Sequence, residues 1–135
     1  MVAMDVHFDI VELVVSDMAA SLAFYRALGL DVPEGAEQEP HVDVGLSSGV
    51  RIAFDTVETV RSFDPSWRPA AGGHRMALAF SCASPAMVDE TYRQMLEQDH
   101  EGHLEPFDAF WGQRYAVLHD PDGNPVDLYC PLPTS

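Results

Sequence analysis

Basic residues are scarce in this chain: seven Lys+Arg stand against 22 Asp+Glu, a formal net charge of −15. A phosphate backbone needs a basic face, so nucleic acid is excluded as an expected partner. An anionic membrane surface is disfavoured for the same reason. No apolar run approaches the roughly 20 residues needed to span a bilayer. The N-terminal stretch Met1–Asp9 lacks a basic region followed by an apolar one, so no secretory signal is expected. There are only two cysteines, Cys82 and Cys130, each inside an apolar strand-like segment, which reads as buried free thiols in a cytoplasmic protein. The chain has no G-x-S-x-G elbow and no phosphate-cradling glycine loop, and neither cysteine has a basic neighbour to activate it.

What is present fits one compact domain: 135 residues, 47% of them hydrophobic. The surplus of acid supports solubility and would attract a cationic ligand.

Two halves carry the same order of elements. Asp9–Val15 (DIVELVV) has the β-branched content and length of a strand. Leu22, Tyr25 and Leu28, with Phe24 beside them, give the helical stripe of a segment from Met18 to Leu28. Ser16 or Asp17 serves as its N-cap and Gly29 stops it. His41–Leu46 and Val50–Asp55 then read as a hairpin around Ser47-Ser48-Gly49. Thr56–Gly73, with Pro65, Pro69, Gly72 and Gly73, reads as a connecting segment. In the second half, His74–Ser81 reads as a strand. Ser84 and Pro85 open a helix whose apolar face holds Met87, Val88, Thr91, Tyr92, Met95 and Leu96. Gln113–His119 and Pro125–Cys130 form a hairpin around Asp120-Pro121-Asp122-Gly123-Asn124. Neither half buries both faces of its sheet alone, so the two are expected to pack edge to edge, helices outside and a curved trough inside.

Val14–Leu30 (VVSDMAASLAFYRALGL) and Phe110–Tyr129 (FWGQRYAVLHDPDGNPVDLY) carry a family resemblance. With the repeated order, the chain resembles the vicinal oxygen chelate superfamily of glyoxalases, bleomycin-resistance proteins and extradiol dioxygenases. The Trp111-Gly112-Gln113-Arg114-Tyr115 lead-in is similar to the small antibiotic-binding, bleomycin-resistance-like branch. The resemblance implies an α+β fold of two βαβββ modules, about residues 5–66 and 73–132 of one domain 1–135, in a curved mixed sheet. It also implies a homodimer, side by side or with modules exchanged.

Enzymes of the superfamily hold a divalent metal in the trough through His, Gln or Glu side chains, as a Lewis acid with open positions for substrate. The aligned positions here hold Ile10, Arg75 and Asp127. Isoleucine and a guanidinium are not ligands, so no metal or other cofactor is expected, and a divalent metal is the minority reading. His74 has the wrong parity without a bulge. His100 and His103 read as loop residues in DHEGH, His119 as a local contact, His41 as a strand opener, and His7 as near the terminus.

Strand alternation assigns Glu12, Arg75, Gln113, Tyr115, Asp127 and Tyr129 to the trough, with Ile10, Val14, Ile52, Phe54 and Val117 between them. Trp67, Phe110 and Trp111 are placed at its rim. Such a mixture suits a small-molecule pocket, and equally a closed core in which Arg75 pairs with Asp127 or Glu12. Two functions follow. One is metal-independent sequestration of an aromatic or cationic natural product, as the resemblance implies. The other is a lyase, isomerase or dioxygenase, metal-dependent or with Glu12 or Asp127 as general base and Arg75 stabilising an oxyanion.

Overall fold

The computed structural model describes residues 5–134. It is α+β, with three helices and two mixed sheets. By its internal contacts the chain divides into two compact units, one ending at Trp67 and one beginning at Arg68. Among the described residues no helix is long and apolar enough to cross a membrane.

The first unit runs β1 (Ile10–Val15), α1 (Met18–Ala27), β2 (His41–Gly45), β3 (Arg51–Thr56) and α2 (Val57–Phe63), in a sheet ordered β1-β3-β2. Asp17 caps α1 by accepting from the Ala20 amide at 3.1 Å. Gly29, at φ 97, supplies the left-handed residue that ends it. Tyr25 on α1 lies 5.3 Å from the Phe54 ring on β3. Leu22, Phe24, Tyr25 and Phe54 are essentially inaccessible to solvent, each worth about 1.5–3 kcal/mol of burial.

Two expectations for this unit are corrected. Thr56–Gly73 is not all connection: Thr56 accepts from the Thr59 amide at 3.1 Å and caps α2, whose Val60 is buried. The order is one strand short of βαβββ, because 31–40 holds Pro33, Gly35 (φ 76) and Pro40 and forms only a 3-10 turn, Ala36–Gln38.

The second unit runs β4 (Leu78–Ser81), α3 (Pro85–Glu97), β5 (Glu101–Ala109), β6 (Gln113–His119) and β7 (Pro125–Pro131), in the order β4-β7-β6-β5. Ser84 caps α3 through the Met87 amide at 3.1 Å, with Pro85 at its first position. Val88, Tyr92 and Met95 on α3 are buried, as are Ala116, Leu118, Val126 and Leu128 on the sheet face it packs against. Asp120 builds the β6–β7 turn by accepting from the amides of Asp122 (3.0 Å) and Asn124 (2.9 Å).

Here too the strands differ from expectation. The strand expected over His74–Ser81 begins only at Leu78, because the register would set Ala77 against Pro125, which has no amide to donate. His74, Arg75 and Met76 therefore lie in the exposed loop before it. DHEGH is not a loop either: Glu101 opens β5, an edge strand irregular between Gly102 and Phe107, which tolerates Pro106.

Candidate functional site

Residues paired across a sheet share a face, so the registers sort every strand residue by side. In the second unit, Tyr115 pairs with Phe107 and Tyr129, Val117 with Leu104 and Asp127, and Gln113 with Ala109. All of these stand on the face away from α3. Tyr115 donates its hydroxyl proton to the Asp127 carboxylate. Burial first, then this hydrogen bond and the Asp127 charge, push the Tyr115 hydroxyl up to about 12, so it stays a neutral donor at neutral pH.

An aromatic group surrounds that pair. Trp111 lies 5.2 Å from Tyr115 and 6.4 Å from Phe107, and Phe107 lies 6.0 Å from Tyr115, all edge to face. The indole N–H donates to Gln113 Oε1 at 2.7 Å, which fixes the ring's orientation. Trp111 remains 50% exposed, and Phe110, 5.0 Å from it, is 97% exposed. Large exposed rings beside a hydrogen-bonded carboxylate form a surface on which a flat molecule can stack while a polar group finds Asp127.

The structure thus brings together Phe110, Trp111, Gln113, Tyr115, Asp127 and Tyr129. Phe107 joins them unforeseen, because β5 had not been recognised as a strand. The remaining candidates lie elsewhere. Arg75 is exposed in the loop before β4, with no ion pair among the described residues, so it lines no sheet face. Phe54 and Ile52 pair with Val42, Val44, Leu13 and Val11 and face α1, not the open side. Trp67 packs against Arg61, whose guanidinium carbon is 5.7 Å from its ring. Glu12 is exposed and paired across from Ala53, on the face away from α1 with Ile10 and Val14.

That face of the first unit carries a cluster the sequence reading passed over. His41 places Nε2 2.7 Å from Asp43 and Nδ1 against Asp55, while Arg51 bridges Asp43 (2.8 Å) and Asp9 (2.6 Å). Two carboxylates can only accept, so His41 meets both as a donor when it is protonated. The hydrogen bond to Asp55, offset by burial and reinforced by the charges of Asp55 and Asp43, raises the His41 pKa. Alternation in HVDV sets His41 and Asp43 on one face, a signal that was there to be used, but nothing local announces the buried Asp55. On the second unit, His103 lies on β5 rather than in a loop, and its ring stacks on His119 at 4.3 Å.

The family model of the Glyoxalase/Bleomycin resistance protein/Dioxygenase superfamily matches residues 7–128. The chain belongs to this superfamily. Solved superfamily structures are similar in fold. A glyoxalase/bleomycin resistance protein/dioxygenase from Nocardioides superposes with a TM-score of 0.77 at 21% identity, over 99% of this chain and 89% of that one. A glyoxalase/bleomycin resistance protein/dioxygenase family enzyme from Burkholderia phytofirmans gives 0.79 at 18% identity, over 92% and 98%. A glyoxalase/dioxygenase from Nostoc punctiforme gives 0.69 at 19%, over 94% and 92%. No curated protein matches the sequence.

The divalent metal that superfamily membership implies does not fit these residues. Ile10 offers no donor atom, and Arg75 is an exposed cation off the strand. Asp127 has one carboxylate oxygen taken by Tyr115. Among the described residues no group of three His, Cys, Asp or Glu is placed to hold a metal ion.

Proposed function

We propose that this superfamily member binds a small aromatic natural product without metal chemistry, and sequesters it rather than transforming it. The observation that carries the reading is the half-exposed Trp111 standing edge to face against Tyr115, whose hydroxyl is tied to Asp127. The rings supply stacking area at low entropic cost, and the carboxylate selects a ligand bearing a hydrogen-bond donor or positive charge. The acidic surface favours the encounter with a cation. A homodimer, the assembly the superfamily resemblance implies, belongs to the same proposal.

The test uses a Trp67→Phe background, so that Trp111 alone reports. Proflavine, a planar aromatic cation, should quench its emission saturably, and Asp127→Asn should weaken that binding about tenfold, as for a charge-assisted contact. Quenching that does not saturate, or is indifferent to Asp127, overturns the site. The metal content of the purified protein is measured alongside, after soaking in zinc, manganese, nickel and iron. One equivalent of metal, lost in Asp127→Asn, would make the enzymatic reading the better one.

A further inference from the structure

On the opposite side of the second unit's sheet, a groove of about 530 Å³ opens between α3 and β5. That volume lies in the range of small-molecule sites. Tyr92 and Leu96 on α3 and Pro106 on β5 supply its apolar surface, and the acids Asp89, Glu97 and Glu105 outnumber the bases Arg93 and Arg114.

Most of those charges are already matched. Arg114 binds Asp89 at 2.9 Å, and Arg93 binds Glu97. Glu105 has no ion pair among the described residues, so one carboxylate of the groove is uncompensated. The second observation is the phenol next to it. Tyr92, which lines the groove, is only 7% exposed, and its hydroxyl makes no hydrogen bond among the described residues. That oxygen is not sealed from solvent, so its proton and lone pairs stay open to a ligand in the groove. The chain makes room for it, because a Cβ at Gly102 would lie 2.2 Å from the Tyr92 oxygen. Burial, then the charge of Glu105, raise the Tyr92 pKa, so the phenol stays neutral and offers its lone pairs.

We propose that this groove binds a small amphipathic cation, a protonated primary amine on an apolar arm. The ammonium donates to the Glu105 carboxylate and the Tyr92 oxygen, and the arm lies on Leu96 and Pro106. The inference is independent of the Trp111 site, which stands on the other face of the sheet.

Benzylamine is the probe, with benzyl alcohol and benzoate as neutral and anionic controls, followed by amide shifts in the 135-residue chain. Benzylamine should shift the amides of Gly102, Glu105 and Leu96 saturably, and the alcohol should bind at least about tenfold more weakly. Glu105→Gln, a substitution at an exposed side chain, should weaken benzylamine by about tenfold. Tyr92→Phe should weaken it severalfold while the rest of the spectrum stays in place. Equal shifts with benzoate, no saturation, or an unaltered affinity in Glu105→Gln would each overturn the proposal.

Discussion

The Tyr115 hydroxyl donates to the Asp127 carboxylate across two neighbouring strands, although the direct partner of Asp127 is Val117, two residues along β6. This diagonal contact lets an acidic residue stand on a sheet face among aromatic rings, because the phenol matches one of its oxygens.

That pairing has a titration signature. Asp127→Asn should lower the Tyr115 pKa from about 12 part of the way toward the ordinary tyrosine value near 10, since burial, the larger cause, remains. Phenolate absorbance of the wild type and Asp127→Asn, each referenced to Tyr115→Phe, reads it directly. A Tyr115 that still titrates near 12 in Asp127→Asn would break the link.

His41 sets the second expectation. Its folded pKa lies above the unfolded value of 6.5, so its pairing with Asp55 and Asp43 stabilises fully below that value. The contribution should fade as pH rises through the folded pKa. Urea unfolding across this range should show the wild-type advantage over His41→Gln shrinking with increasing pH. A constant difference would mean that His41 does not change charge there.

Phe54 and Trp111, both once placed at the same site, should behave oppositely. Phe54 is fully buried against Tyr25, so Phe54→Ala should cost about 3–5 kcal/mol of stability. Trp111→Ala should change stability by less than about 1 kcal/mol, since the ring is half exposed, and should abolish proflavine binding. Thermal denaturation and a titration read by proflavine's own emission separate the two; a stable Phe54→Ala would return that residue to the open face.

Gly102→Ala tests the packing beneath the α3–β5 groove. The added methyl would meet the Tyr92 oxygen at 2.2 Å and Leu96 Cδ1 at 2.9 Å. Gly102 has no left-handed backbone requirement, so the effect is steric, a loss of about 1–3 kcal/mol. Tyr92→Phe in the same background should restore part of it, by removing the atom in the way.

Much of this architecture was legible because local chemistry and fold agree. Asp17, Ser84 and Pro85 mark helix starts by satisfying or sparing free amides, and Gly29 marks an end. The Asp120 turn is written in Asp-Pro-Asp-Gly-Asn. On β6 and β7 small or aliphatic residues alternate with Tyr115, Asp127 and Tyr129, so their shared face followed from a period of two. On β3 that logic fails, since Ile52, Ala53, Phe54 and Asp55 are all buried and alternation fixes parity without saying which side is inner.

By itself, then, the sequence determined the order of β1, α1, β2, β3, β4, α3, β6 and β7, the caps of α1 and α3, the β6–β7 turn and the polar–aromatic face of that hairpin, but not α2 or β5. These depend on residues close together along the chain. Tertiary structure alone decided that β4 starts at Leu78, leaving Arg75 in a loop, because Pro125, far along the sequence, ends the partner ladder. It also decided that Phe54 meets Tyr25, that Asp55 meets His41, and that Phe107 joins Trp111 and Tyr115. Each of these depends on a register between separate segments, which is set by burial across the whole sheet and not by any local pattern.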